Sequence, residues 1–268
     1  TGFWTNIADQ TDMMSFYDDS QNSFTNFAMS GIDKRYMGIE LGYSIPIAWG
    51  LSLQGAVSLG DYIYTSNPEF TQMIDNSATD VVHSRVNWKG MKVESTPQTA
   101  INVGLNFRGP NNWFASVDFN YYDRLYLSMN PMYRTEYLAN EIKRIYDWNN
   151  LETGRQKAYV VGIIDEIRQQ EDLGNAYTLS ASIGKNFRIK YKYTLGFSLQ
   201  VNNILNNQRI RTGGYEQMRL NKLSDPIIFP NADGEMKIIK KPTTYSRFDS
   251  KYFYMNGINY YLNIYFRF

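Results

Sequence analysis

Counted back from the C-terminus in steps of two, the chain separates into two rows. Phe268, Phe266, Ile264, Leu262, Tyr260 and Ile258 form one row; Arg267, Tyr265, Asn263, Tyr261, Asn259 and Gly257 form the other. Successive side chains of a strand point to opposite faces, so this period predicts a strand with one apolar and one mostly polar face. Gly257 to Phe268 is long for a soluble strand and suits one that crosses a bilayer at a tilt. The terminal Phe268, with Phe266 and Tyr260 on the same row, is similar to the C-terminal assembly signal of outer-membrane barrels.

The alternation recurs upstream. Met37, Ile39, Leu41, Tyr43 and Ile45 alternate with Gly38, Glu40, Gly42 and Ser44. Further apolar rows run through Leu51–Leu59, Ile101–Phe107, Trp113–Tyr121, Leu179–Ile183 and Leu195–Val201, and Phe3 to Ile7 reads as the end of one more strand. About eight antiparallel strands are predicted in all, an all-β transmembrane barrel architecture.

The connections alternate in length. Pro46–Gly50, Arg108–Asn112 and Arg188–Lys192 read as tight turns, whereas 10–31, 66–98, 126–176 and 205–250 read as long polar loops. Barrels of the outer membrane have short periplasmic turns and long extracellular loops, so the C-terminus is expected at the periplasmic rim. Within 126–176, Leu138, Ile142, Ile145 and Tyr146, then Tyr159, Val160, Ile163, Ile164 and Ile167, fall at helical spacing. Two short helices there would serve as a lid or a docking surface for a surface partner. The simpler alternative is that they pack against neighbouring loops.

Composition removes the competing classes. A mean hydropathy of −0.46 looks soluble, but lipid-facing and lumen-facing residues average out along barrel strands. No run approaches the length of an apolar membrane helix. Aromatic residues make up 16% of the chain, with Tyr (22) far ahead of Trp (5), as interfacial girdles require. A net charge of +1 argues against a nucleic-acid partner, and Lys237, Lys240 and Lys241 read as a solvated loop. There is no cysteine, hence no disulfide framework or thiolate metal site. Thr1-Gly2-Phe3-Trp4 is neither a start methionine nor a signal peptide, so a mature, trimmed or partial chain is expected.

Catalysis finds no support. His83 is the only histidine, and neither a Gly-x-Ser-x-Gly elbow nor a calcium-loop spacing occurs. Asp18-Asp19 reads as a solvated pair, and Gly213-Gly214 lacks the Lys-Ser/Thr of a phosphate loop. No cofactor and no metal are expected. What remains is the predicted lumen face: Glu40, Gln54, Asn102, Asn106, Asp118, Asn120, Gln200, Asn202, Asn259, Asn263 and Arg267. These read as wall residues satisfied by water or an inserted domain rather than as specific ligand contacts. Gly38, Gly42, Gly104, Gly184 and Gly196 on that face would leave room for a plug.

Several segments resemble TonB-dependent receptors, particularly Bacteroidetes receptors with an N-terminal carboxypeptidase-regulatory-like domain. The matching pieces are Gly31-Ile32-Asp33-Lys34-Arg35-Tyr36-Met37-Gly38-Ile39-Glu40, Leu59-Gly60-Asp61-Tyr62-Ile63-Tyr64, Asn120-Tyr121-Tyr122-Asp123-Arg124-Leu125-Tyr126, Val201-Asn202-Asn203-Ile204-Leu205-Asn206 and Tyr252-Phe253-Tyr254-Met255-Asn256-Gly257. The resemblance implies a plugged barrel of about 22 strands, of which this chain would supply the last eight or so. It also implies energised uptake of a scarce ligand. TonB would be the partner through a missing N-terminal part, with outer-membrane lipids around the wall and a possible surface lipoprotein on the loops. The matched motifs are architectural and carry no substrate residue. A self-contained small barrel acting as an adhesin or structural protein is the alternative.

Overall fold

The structure is a computed structural model and describes residues 1–18, 23–75, 81–190, 192–217, 220–223, 227–230, 236–240 and 244–268. Along the chain, β1 (Gly2–Asp18), β2 (Ser23–Ala48) and β3 (Leu51–Tyr64) are followed by a short hairpin, β4 (Glu69–Ile74) and β5 (Val81–Arg85). Next come β6 (Thr99–Arg108) and β7 (Trp113–Asp123), then α1 (Glu136–Ile145) and α2 (Gly154–Arg168), then β8 (Ala176–Ile189) and β9 (Tyr193–Asn202). Six short strands follow: β10 (Arg211–Tyr215), β11 (Leu220–Leu223), β12 (Ile227–Pro230), β13 (Met236–Lys240), β14 (Thr244–Arg247) and β15 (Lys251–Tyr254). The last strand is β16 (Asn259–Arg267).

Ten of these strands form one sheet, and every pairing in it is antiparallel. Its backbone is a meander in which β1, β2, β3, β6, β7, β8, β9 and β16 each pair with the next. Among the described residues β1 and β16 are edges and do not pair with each other. The fold is mostly antiparallel β-sheet with few helices. No described helix is long and apolar enough to cross a membrane, which says nothing about crossing by strands.

Register turns the alternation of single strands into two continuous faces, because directly opposed residues share a face. One row runs Ile45, Leu53, Leu105, Val117, Ala181, Val201, Tyr260 across seven strands, and every member is apolar. The next, Leu51, Phe107, Ala115, Ile183, Leu199, Leu262, is apolar as well. On the other face Ser52, Asn106, Ser116, Ser182, Gln200 and Tyr261 are aligned. A slip of one residue in any strand would break both rows at once.

One turn assignment and two loop assignments need correction. Pro46 lies inside β2, not in a turn; the turn is Trp49-Gly50, both at positive φ (50° and 81°). Beyond Glu40, β2 has no partner on its β1 side among the described residues, the setting in which a proline without an N–H is tolerated in a strand. Segment 10–31 is not an open loop, because β1 and β2 stay paired as far as Asp18 and Ser23. Its alternation is broken by bulges around Gln10 and by Gly31 at φ 72°, so a strict period of two misses it. Segment 205–250 likewise carries a ladder, with β10 paired to β15, β11 to β14 and β12 to β13. Lys237 and Lys240 fall within β13, while Lys241 and Asp19 lie outside the described residues.

Candidate functional site

All eleven positions predicted to face a lumen occupy the polar face. Gln54 stands opposite Gly104 and Gly104 opposite Asp118; Asn102 stands opposite Asn120, and Asn263 opposite Ser198. Glu40 pairs with Ser58, Asn106 with Ser116, and Arg267 with Thr194. Lateral hydrogen bonds link neighbouring strands. Asn102 Nδ2 donates to Asn120 Oδ1 (2.9 Å), Asn120 Nδ2 to Thr178 Oγ1 (3.4 Å), and Asn202 Nδ2 to Asn259 Oδ1 (2.9 Å). Such ladders satisfy amides within the wall and leave a wettable surface. The residues stay spread from β2 to β16 and do not converge on one point. A hollow of about 810 Å³ on this face lies at the turn end among Ser52, Gln54, Asn106, Ser116, Ser182 and Asn186. There Asn106 Nδ2 is buried without a partner.

Most of the polar-face glycines do not leave open space. A Cβ on Gly196 would meet the Tyr265 ring at 2.4 Å, and one on Gly184 the Phe114 ring at 2.3 Å. At Gly38 it would meet Phe3 at 2.8 Å and at Gly104 the Asp118 carboxylate at 2.4 Å. Only Gly42, whose nearest neighbour lies at 3.9 Å, matches the expectation of free room. The glycines let side chains from adjacent strands lie across the sheet, as an aromatic ring does over a strand glycine.

Above the polar face, at the loop end, a buried cluster replaces the polar ladder. Phe27, Met29, Tyr62, Tyr64, Phe70 and Trp88 pack together with Met129 and Met132 from the segment after β7. Phe27 and Phe70 stack with ring centroids 4.3 Å apart. Met129 and Met132, at the root of the helical loop, thus share one buried cluster with Tyr62 and Tyr64, which have the parity of the polar face.

The helices follow from local chemistry. Thr135 caps α1 by accepting from Leu138 N (3.0 Å). Thr153 and Gln156 form a reciprocal capping box on α2. Leu138, Ile142, Tyr146, Val160, Ile164 and Ile167 then close a core between the two helices. Burial, with a smaller contribution from Tyr159, pushes the Tyr146 phenol up to about 12. Burial lowers the pKa of Arg168 from its usual value.

Two carboxylates join this helical loop to the β10–β15 hairpin in opposite directions. Glu216, just after β10, accepts from both terminal nitrogens of Arg134, from Arg247 Nη2 (2.7 Å) and from Asn130 N (2.7 Å). Arg134 and Glu216 are fully buried. Glu171, just after α2, accepts from the Tyr252 hydroxyl (2.5 Å), the Ser250 hydroxyl (2.9 Å) and Arg211 Nη1 (3.4 Å). Burial, then the bond to Glu171, raises the pKa of Tyr252. The sequence pattern singled out none of these residues for a role at a site. They are isolated polar side chains, most of them tens of positions apart, and no local spacing marks them.

The other residues weighed for chemistry fall apart in space. His83 lies in β5 with Nδ1 3.0 Å from Thr71 Oγ1. Among the described residues no group of three or more His, Asp or Glu is placed to hold a metal. Gly213 and Gly214 lie in β10 against β15, where a Cβ on Gly214 would meet Lys251 O at 2.0 Å.

Fold and faces together define an antiparallel β-meander with one apolar face, one polar face and a compact loop cap. Comparison with known proteins adds nothing to that class: no family model, no curated protein and no solved structure matches the chain.

Proposed function

We propose that the chain forms wall and surface loops of an outer-membrane β-barrel transporter of the TonB-dependent kind, which takes up a scarce ligand. The observation that carries the membrane half is the apolar face in register across seven strands. About a dozen large side chains on it, among them Leu41, Val103, Phe119, Ile183, Leu262 and Ile264, are around half-exposed. In water each forgoes about 1 kcal/mol. The sum of roughly 12 kcal/mol rivals the whole stability of an ordinary domain, about 5–15 kcal/mol. An apolar solvent removes that penalty.

The dimensions agree with a bilayer. From Tyr260 to Phe268 the exposed row spans nine residues, within the roughly 9–11 that a tilted strand needs to cross a bilayer. Aromatic rings gather at both ends of the rows, with Trp4, Tyr121 and Tyr177 toward the loops and Trp49, Trp113 and Tyr193 toward the turns. Lys185 lies 4.7 Å from the Trp113 ring and Lys192 5.3 Å from the Tyr193 ring, as snorkelling cations do at an interface. In this reading the long loops are extracellular and Phe268 lies at the periplasmic rim, with Phe266 and Tyr260 on the same outward row as candidates for an assembly signal. Edges β1 and β16 require further strands for closure, since open edges are excluded from lipid. The energised-uptake half rests on the resemblance of the quoted segments.

Spin labels test the wall, and the chain's lack of cysteine simplifies the design. In the complete protein in outer-membrane vesicles, labels at Leu199→Cys and Leu262→Cys should be reached by oxygen, and labels at Gln200→Cys and Asn263→Cys by a water-soluble nickel chelate. Equal access on both faces would sink the membrane reading. The transporter reading predicts co-purification with the periplasmic domain of TonB. A closed, heat-modifiable monomer formed by these 268 residues alone would replace it with a small self-contained barrel.

A further inference from the structure

The two loops that follow β7 and β9 are far apart in the chain yet share one buried polar core. Beyond the two carboxylate clamps, Asn130 Nδ2 and the Tyr133 hydroxyl both donate to Gln217 O (2.9 and 3.0 Å), and Glu216 N donates to Ser128 O (2.9 Å). Arg247 also donates to Gln169 O (3.0 Å), at the end of α2, and lies over the Tyr133 ring. Each clamp ties a carboxylate of one loop to donors of the other, Glu216 to Arg134 and Asn130, and Glu171 to Tyr252, Ser250 and Arg211. The Glu216 clamp is sealed from solvent and the Glu171 clamp is partly exposed, so a loop that swings alone leaves Arg134 and Glu216 buried and unmatched. Met129 and Met132 at the root of this assembly belong to the buried cluster that includes Tyr62 and Tyr64, at the loop end of the polar face.

We infer that the helical loop and the β10–β15 hairpin form a single lid over the loop end of the polar face, and that the reciprocal Glu216 and Glu171 clamps make the two loops open and close as one body. This rests on the reading of the polar face as a passage. A carboxylate that has lost its charge accepts weaker hydrogen bonds, so neutralising both clamps uncouples the loops while leaving the wall, which they do not touch, intact.

Pulsed electron spin distance measurements on the complete protein in outer-membrane vesicles test this. Val161→Cys on α2 and Phe253→Cys on β15, both exposed, report within the lid; Val103→Cys and Leu195→Cys report within the wall. One narrow lid distribution is expected in the otherwise unaltered protein. It should at least double in width in Glu171→Gln/Glu216→Gln, with the wall pair unchanged. A lid distribution already broad without these substitutions, or one the double variant leaves narrow, would overturn the single lid. If the double variant disturbs the wall pair, Arg247→Gln takes its place. That change removes the contacts Arg247 makes across to Gln169 O and the Tyr133 ring and keeps Arg134 on Glu216; its expected result is a partial broadening, and no broadening overturns the proposal. Lipid access of the Val103 label is read in the same samples, so a failed membrane reading remains distinguishable from a failed lid.

Discussion

Arg134 and Glu216, separated by 82 positions, meet as a two-pronged ion pair with both side chains sealed from solvent. Removing one member of such a pair leaves the other buried and unmatched, which typically costs about 3–5 kcal/mol, far more than a surface ion pair is worth. Arg134 also donates to the Asn130 and Gln169 carbonyls (both 3.0 Å), its Nε is buried without a partner, and Glu216 supplies the countercharge. Glu216→Ala is therefore expected to destabilise the loop cap by about 3–5 kcal/mol. Hydrogen exchange should show α1 and α2 losing protection together while β7, β8 and β9 keep theirs. Replacing both partners, as Arg134→Met with Glu216→Leu, should recover most of the loss. No recovery would mean that the ion pair is not the source of the effect.

The two faces of β9 give opposite expectations for adjacent residues. An arginine in place of Leu199 would sit in the apolar row between Ile183 and Leu262. Near the middle of a bilayer it should cost about 2–4 kcal/mol. Gln200→Arg projects from the polar row beside Ser182 and should cost under about 0.5 kcal/mol. Denaturant unfolding of the complete protein from lipid vesicles measures both. Equal costs at the two sites would show that the faces do not differ in solvent.

This contrast was readable in the sequence because period-two alternation is a property of each strand taken alone. The rows at Leu195–Val201 and Ile258–Phe268 needed no knowledge of their neighbours, and pairing only aligned them. The alternation failed where the faces exchange character. Above Gly31 the strands leave the apolar band, both faces turn mixed, and β1 and β2 continue under a broken pattern. Gly50 and Asn111-Asn112 are residue types that tolerate positive φ and marked their turns, whereas Pro46 drew the first turn boundary too early. The clamps were invisible for a different reason. Glu216 acquires meaning only when Arg134, Asn130 and Arg247 are folded around it, and no spacing along the chain encodes that. The glycines were half-read: small residues on the polar face were evident, but the rings that lie over them come from other strands.

Gly196 offers a direct check on that last point. The Tyr265 ring lies where its Cβ would be, at 2.4 Å, and the Asn186 amide oxygen lies at 2.8 Å. The Tyr265 hydroxyl donates to Asn186 Oδ1 (2.7 Å), which holds the ring flat across the strand. Gly196→Ala must displace that ring and should cost about 1–3 kcal/mol, the usual range for overpacking. In a Tyr265→Ala background the same change should cost much less. A double-mutant cycle on unfolding free energy reads the coupling, and additive costs would show that the ring is not the obstacle.

The helical hairpin carries a pH dependence whose sign follows from Tyr146. Burial first, and the neighbouring Tyr159 second, push its phenol to about 12 in the folded cap, against about 10 in an unfolded chain. A raised pKa means that the fold favours the neutral phenol. Stability from this group is thus fully present below about pH 10 and is lost as pH rises from there toward 12. Local unfolding of the cap should begin in that window while the wall stays folded. Far-ultraviolet circular dichroism should lose helical signal in step with tyrosinate absorbance near 295 nm. Tyr146→Phe cannot ionise at this position and should shift the helical transition to higher pH. An unchanged transition in that variant would assign the alkaline loss to other groups.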